Sequence, residues 1–379
     1  MNLYLDHAAT TPVRPQVLEA MLPFLTHAFG NPSSHHEVGE RAARALTDAR
    51  ARVARVFGMR PGDVIFTAGG TEANNLAIKG IAVAALLARG ARHVVTTPIE
   101  HESVLASVAY LERVHGFEAT LLPVDATGRV DPADLDAALR DDTAVVSIGY
   151  ANNEVGTVQD VAALSAVTAA HRVPLHLDAV QAAGWLPLSG TGADAISVAG
   201  HKLGAPKGTG VLAVRSRIPL EPLLHGGGQE RGRRSGTENV AGAVAIATAL
   251  EVAEAERAAS AARVAAARDA FVAAVLAAVP SARLTGHPVH RLPGTASFTF
   301  AGTSGEAVLL ELERRGVTSS SGSACAAGSD EPSHVLVALG VPDAVAQTSV
   351  RFTFPHEPVE VGPLAEAVAA AVAAVQSTP

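Results

Sequence analysis

The 379-residue chain is expected to fold as an α/β protein, with a mostly parallel mixed sheet sandwiched by helices and a smaller α+β domain. Three observations predict this. Short apolar strands alternate with helical stretches between Asp63 and Ala199, the pattern of a parallel sheet covered on both faces. An Ala-rich helical stretch from Asn239 to Val279, ended by Pro280, reads as a connector between domains. Residues 281–379 then change character, with fewer strands, a run of small residues and a terminal helix. The length implies roughly two domains. The division expected is a large ligand-binding domain at 13–255 and a small domain made of 1–12 and 256–379, which carries the loop 319–331.

In chain order, Leu3 to Leu5 is a short extended segment, and a polar turn closes at Pro12. A helix follows from Pro15 to about Phe24. Asn31 to His36 is a loop in which Ser33 or Ser34 can cap a helix running to Phe57, with Arg41, Arg44, Arg52 and Arg55 outward. Asp63 to Thr67 is a strand, and Ala68-Gly69-Gly70-Thr71-Glu72 turns into a helix reaching Arg89. Strands at His93–Thr97, Ala119–Pro123, Thr143–Ile148, Val173–Asp178 and Ala193–Ala199 are separated by helices at Ser103–His115, Pro132–Arg140 and Val161–Ala170. In the last hundred residues come a strand at Thr295–Phe300 and a helix at Glu306–Arg314. The small-residue loop from Ser319 to Asp330, a helix at Ser333–Leu339, a strand at Ser349–Phe354 and a helix at Val361–Val375 complete the chain. There is no internal repeat.

Composition excludes several classes. A net charge of −8 without a basic stripe argues against nucleic acid, and the Arg-Gly-Arg-Arg run at 231–234 is long enough only for a local anion. The apolar run Gly80–Ala88 falls short of the roughly 20 residues that cross a bilayer, so no membrane span is expected. Met1 to Asp6 has neither basic start nor apolar core, which points to a cytoplasmic protein. The single cysteine, Cys325, rules out an internal disulfide and leaves a free thiol in the small-residue loop. Adjacent His35 and His36 point apart on any regular element, so no metal site is expected. His225-Gly226-Gly227-Gly228 resembles an esterase oxyanion loop, but no Gly-x-Ser-x-Gly elbow supplies a nucleophile. Two Gly-x-Gly-x-x-Ala matches, at Gly190 and Gly208, run into strands, not helices, and do not bind a dinucleotide.

The positive evidence converges on Lys202. The 29 basic residues include only three lysines, Lys79, Lys202 and Lys207. Alone, Lys202 reads as a solvated strand end. Ligands of open α/β sheets, however, bind at the carboxyl ends of the strands. That rule gathers Gly69-Gly70-Thr71, Glu100-His101, Asn152-Asn153-Glu154, Asp178 with Gln181, and His201-Lys202. The Gly70-Thr71 helix start offers free N–H groups to a phosphate; Thr71 as a plain helix cap is the alternative. A lysine amine, an acid, a histidine and a phosphate cup together suit pyridoxal 5'-phosphate. Its aldehyde condenses with Lys202, and Asp178 keeps its ring nitrogen protonated. Gln181 bonds its phenolic oxygen, His101 stacks and passes protons, and Thr71 with His201 holds the phosphate.

The motifs Tyr4-Leu5-Asp6-His7-Ala8-Ala9-Thr10-Thr11-Pro12, Gly69-Gly70-Thr71-Glu72-Ala73-Asn74-Asn75, Glu100-His101, Asn152-Asn153-Glu154-Val155-Gly156, Asp178-Ala179-Val180-Gln181, Gly200-His201-Lys202, His225 to Gly232 and Ser320 to Cys325 occur in this order. In this the chain resembles cysteine desulfurases of the iron-sulfur-cluster and nitrogen-fixation type, over nearly its whole length. The resemblance implies a fold-type-I pyridoxal-dependent homodimer. Such an enzyme converts L-cysteine to L-alanine, leaves a persulfide on Cys325 and hands the sulfur to an acceptor protein for cluster assembly or thiolation. It further implies that Lys202 removes the substrate α-proton and that Asn153 and Gln181 position cofactor and substrate. Thr237 reaches the phosphate from the other subunit, and Arg351 clamps the substrate carboxylate. Selenocysteine lyase or another class-V pyridoxal enzyme, and a non-catalytic partner protein of the same fold, are the alternatives. Two positions depart from the pattern. Ala199 stands where relatives usually carry a phosphate-binding serine, a loss of about 1.5–3 kcal/mol in cofactor retention if nothing replaces it. Ala205-Pro206 stands where Gly-Pro is commoner.

Overall fold

The computed structural model describes residues 3–322 and 331–377. β1 (Leu3–Tyr4) leads to α1 (Pro15–Thr26), α2 (Glu37–Phe57), β2 (Val64–Thr67), α3 (Gly70–Arg89), β3 (His93–Thr96), α4 (Glu102–His115) and β4 (Glu118–Leu121). Next come α5 (Pro132–Ala138), β5 (Thr143–Gly149), α6 (Val161–His171), β6 (Leu175–Asp178), β7 (Ala195–Ala199), β8 (Gly210–Val214) and α7 (Val240–Ala278). The remainder is β9 (Ala282–Leu284), β10 (Thr295–Phe300), α8 (Gly305–Arg314), β11 (Val317–Thr318), α9 (His334–Ala338), α10 (Asp343–Ala346), β12 (Ser349–Thr353) and α11 (Val361–Gln376).

The central sheet has seven strands in the order β2-β8-β7-β6-β5-β3-β4. Only β8 runs against its neighbours, pairing antiparallel with β2 and β7. The carboxyl ends of the other six strands therefore share one edge, as the alternation of strands and helices predicts. β5, β6, β7 and β8 are buried almost throughout; β5, β7 and β8 carry apolar residues on both faces, while β6 alternates Leu175 and Leu177 with buried His176 and Asp178. Both rejected glycine motifs meet strands, the first at the start of β7 and the second in β8.

A second core forms on the antiparallel sheet β12-β10-β9. Phe271 of α7 meets the edges of Phe298, Phe352 and Phe354 there, at ring-centre distances of 5.2–5.9 Å. α7 serves both cores: its first half, from Ala241 to Leu250 and Ala253, is buried on the side of the large domain, where it packs on α1 and α2, while Val264, Phe271 and Val275 belong to the second cluster. The start of the chain joins this second core. β1 pairs in parallel with β11, and Leu5 is fully buried in the phenylalanine cluster.

Three expectations need correction. α2 is capped by His36, whose Nδ1 accepts from Gly39 N at 3.3 Å, and not by Ser33 or Ser34. Asn31 holds those serines in its own turn, its side chain accepting from Ser33 N and its carbonyl from Ser34 N. Arg52 is not outward, for it pairs with Glu251 of α7 at 2.6 Å. Of the three arginines at 231–234, two meet groups of the chain itself and not a separate anion, Arg234 pairing with Glu72 and Arg231 donating to the Val64 carbonyl, while Arg233 Nη1 is buried without a partner.

Candidate active site

A cavity of about 920 Å³ opens at the shared strand edge. Gly70, Thr71, His101, Asn153, Asp178, Gln181, His201, Lys202 and Arg351 all line it, so residues scattered over 282 positions of sequence meet in one place. Cys325 lies outside the described residues; Gly322 and Glu331, on either side of it in sequence, both line the cavity.

The cup at Gly70 is shaped by close packing. A Cβ at Gly70 would lie 2.8 Å from Val180 Cγ2 and 3.3 Å from Ala199 Cβ, and one at Gly210 would fall 2.6 Å from Gly69 Cα. Only glycines let the turn seat against β8 and aim the first N–H groups of α3 into the cavity. Gly69, not Thr71, occupies the cap position of α3, which excludes the plain-cap alternative for Thr71. Glu72 in the first turn reaches back to Ala68 N at 2.7 Å and steadies the turn.

Asp178 ends β6 with its carboxylate buried. Oδ1 accepts from Val180 N at 3.0 Å and Oδ2 from Asn74 Nδ2 at 2.6 Å. Lys202 follows β7 in a single helical turn and donates to the carbonyls of Ala8 and Ala9, the latter at 2.7 Å. Gln181 Nε2 also donates to Ala8 O, at 3.0 Å. His201 pairs with Thr10 Oγ1 at 3.2 Å and is held down to about 4, chiefly by burial and then by the charges of Lys202 and Lys207. At neutral pH it is an uncharged imidazole. His101 caps α4, its Nδ1 accepting from Ser103 N at 3.0 Å.

Arg351, on β12, is 2% exposed and reaches the same space from the second core. Nη1 donates to the carbonyls of Asn153 and Gly322, at 2.8 and 3.3 Å, and Nη2 to Asp6 Oδ1 at 2.7 Å. Its Nε has no partner. Asn153 is presented by a turn in which Asn152 Oδ1 accepts from Glu154 N and Val155 N. Thr237 is elsewhere: it is exposed beside a separate cavity of about 240 Å³, on the far side of Gly210, and does not enter this one within a single chain.

Sequence reasoning assigned no role to several residues that build the site. Asn74 was legible, since it stands four residues after Gly70 and so shares its helix face, a polar residue amid Ala73, Leu76 and Ala77. Glu100 was named without a function. It is buried, accepts from Thr97 Oγ1 at 2.7 Å, and burial, with the neighbouring Asp178 charge added, raises it to about 7. Asp6 and the carbonyls of Ala8 and Ala9 carried no signal beyond their places in a motif, and Ser103 none beyond the start of a helix.

Among the described residues no helix is long and apolar enough to cross a membrane, and no cluster of metal-binding side chains is found.

Known proteins resemble this chain in sequence and in fold. Residues 3–360 match the class-V aminotransferase family. The chain is 45% identical to "Cysteine desulfurase IscS" of Dictyoglomus turgidum, over 93% of this chain and 89% of that one. It is 47% identical to "IscS-like cysteine desulfurase" of Mycobacterium tuberculosis, over 94% and 92%. Among solved structures, one described as a NifS-like protein superposes with a TM-score of 0.89 at 34% identity, covering 99% of this chain and 98% of the other. "SspA in complex with cysteine" superposes at 0.82 with 35% identity, covering 94% and 100%. The chain therefore belongs to the class-V aminotransferase family, among its cysteine desulfurases.

Proposed function

We propose that this cysteine desulfurase uses pyridoxal 5'-phosphate to convert L-cysteine to L-alanine and takes the released sulfur onto Cys325 as a persulfide. The observation that carries the reading is the convergence of Lys202, Asp178, His101, His201 and the Gly70 cup on one cavity. These residues fit the cofactor. The cup that a Cβ at Gly70 would close, the helix N-terminus behind it and neutral His201 suit a phosphate. The buried carboxylate of Asp178, oriented by two donors, suits a ring N–H. Gln181 and His101 flank the space between. When bound, the cofactor supplies an electron sink for charge developing at the substrate Cα.

The chain's own groups do the rest. Lys202 Nζ, held at the strand end, takes and returns the Cα proton. His101 moves protons at the cavity mouth. Arg351 keeps its Nε–H and one Nη2 hydrogen for the cysteine carboxylate, and Asn153 lies beside it. Cys325 attacks as a thiolate on the substrate sulfur. An S–S bond forms, the C–S bond breaks, and its electron pair and a proton complete alanine.

The assembly proposed is a cytoplasmic homodimer of large (13–255) and small (1–12 with 256–379) domains. The exposure of Thr237 is consistent with its serving the partner's phosphate site. The persulfide then passes to an acceptor protein, for cluster assembly or thiolation. Mass spectrometry after hydride reduction tests the cofactor assignment: the adduct is expected on Lys202, and one on Lys79 or Lys207 would refute it. After cysteine treatment one added sulfur is expected on Cys325. Cys325→Ser should abolish sulfide release, and full turnover in that variant would instead favour a lyase that needs no thiol.

A further inference from the structure

A run of hydrogen bonds crosses the cavity wall from Asp178 to His101 through Asn74 and Ser103, neither of which has so far been given a role toward His101. Asn74 is 1% exposed. Its Nδ2 donates both to Asp178 Oδ2, at 2.6 Å, and to Ser103 Oγ, at 2.9 Å, while its Oδ1 has no partner. This orientation is forced. A flipped amide would turn Oδ1 toward a carboxylate oxygen that offers only lone pairs. Ser103 Oγ, already accepting from Asn74, keeps its own hydrogen for His101 Nδ1 at 2.8 Å. The same Nδ1 accepts from Ser103 N. One set of hydrogens satisfies every contact, and it leaves the proton of the neutral imidazole on Nε2, the nitrogen free of the helix cap.

We propose that Asn74 and Ser103 are positioning residues that act through His101, fixing its ring as the Nε2–H tautomer and tying it to the oriented carboxylate of Asp178. This rests on the reading of His101 as the acid–base group. The backbone bond from Ser103 N alone would let the imidazole rotate about its cap. The hydroxyl, itself held by Asn74, defines the ring plane.

The experiment is a double-mutant cycle on the cofactor-loaded enzyme, with Ser103→Ala, His101→Gln and the pair, read as kcat and KM for cysteine. A parallel set of spectra follows the His101 ring nitrogens in 15N-histidine-labelled protein. His101→Gln should lower kcat by about 100-fold. Ser103→Ala should lower it about three- to tenfold with KM unchanged, and Ser103→Thr, which keeps the hydroxyl, should restore it. In the His101→Gln background Ser103→Ala should cost nothing further. Asn74→Leu, which touches His101 nowhere, should still move the His101 Nδ1 resonance, because Ser103 transmits the loss. Multiplicative losses in the cycle would overturn the proposal, as would an Nδ1 resonance unmoved by both Ser103→Ala and Asn74→Leu. If His101→Gln keeps full turnover, the acid–base reading fails. The resonance then still decides whether the relay exists, so the two failures are separable.

Discussion

Ala199→Ser is the sharpest test of where the cofactor phosphate sits. Ala199 ends β7, is 2% exposed and lines the cavity. Its Cβ lies 3.3 Å from where a Cβ at Gly70 would be, which puts the methyl between the start of α3 and His201, inside the proposed phosphate cup. That methyl has no hydrogen to donate. A serine there adds one O–H at a residue that lines the cup. A hydrogen bond to a charged acceptor is worth about 1.5–3 kcal/mol, so the cofactor Kd should fall by about 10- to 150-fold. Cofactor-free protein of each kind would be titrated with pyridoxal phosphate. The only tryptophan, Trp185, serves as reporter because it lines a pocket shared with Lys202 and Gln181. Kd values within about twofold of each other would refute the reasoning. The phosphate would then lie away from position 199, or another donor would already serve it.

Three further outcomes follow from buried charges. Glu100 is raised from 4.5 to about 7, so the folded state holds a proton that the unfolded chain releases; its contribution is fully present below pH 4.5 and lost as pH rises through 7. Urea denaturation of wild type should therefore weaken by about 3 kcal/mol relative to Glu100→Gln between pH 4.5 and 8, and a constant difference would contradict this. Arg50 makes a two-pronged pair with Glu230, at 2.6 and 2.9 Å, both groups nearly buried. Arg50→Met should cost about 3–5 kcal/mol by stranding that carboxylate, and adding Glu230→Leu should recover much of it; a double variant as weak as the single would refute the pairing argument. Arg351→Lys keeps the charge but loses the planar fork, so KM for cysteine should rise about 10- to 100-fold with a smaller change in kcat. An unchanged KM would remove Arg351 from the substrate site.

What the sequence reveals and what it hides follow from how local each signal is. β10 was readable from Thr295 to Phe300 because hydroxyl and apolar residues alternate along it, and the site was readable because parallel strands deliver their loops to one edge. The caps were not, because imidazole is an uncommon helix cap; His36 and His101 work only when Nδ1 is the unprotonated nitrogen. Arg52 read as outward because its helix position permits it, and only partners nearly 200 residues later on α7, Glu251 and Thr248, draw it in. β1 pairs with β11 over two residues at the two ends of the chain, too short for any periodicity to mark. Ser103 looks like an ordinary helix residue until Asn74 and His101 are set on either side of it.

The distant pairing of the chain's ends bears directly on Lys202. Ala8 O accepts from both Lys202 and Gln181, and Ala9 O from Lys202, so the lysine is oriented by backbone that β1 delivers. That backbone is held in turn by β12: Ala8 N donates to Thr353 Oγ1 at 2.9 Å, and Asp6 accepts from Arg351. The proposed carboxylate clamp and the proposed Cα base are thus tied to opposite ends of one short segment, Asp6 to Ala9. Asp6 takes one Nη2 hydrogen of Arg351 and leaves the Nε–H and the other Nη2 hydrogen proposed for the substrate carboxylate, so Asp6 helps to set the position of the clamp. The segment is thus held from both sides, by the second core through Thr353 and Arg351 and by the residues that follow the large sheet's strands through Lys202 and Gln181.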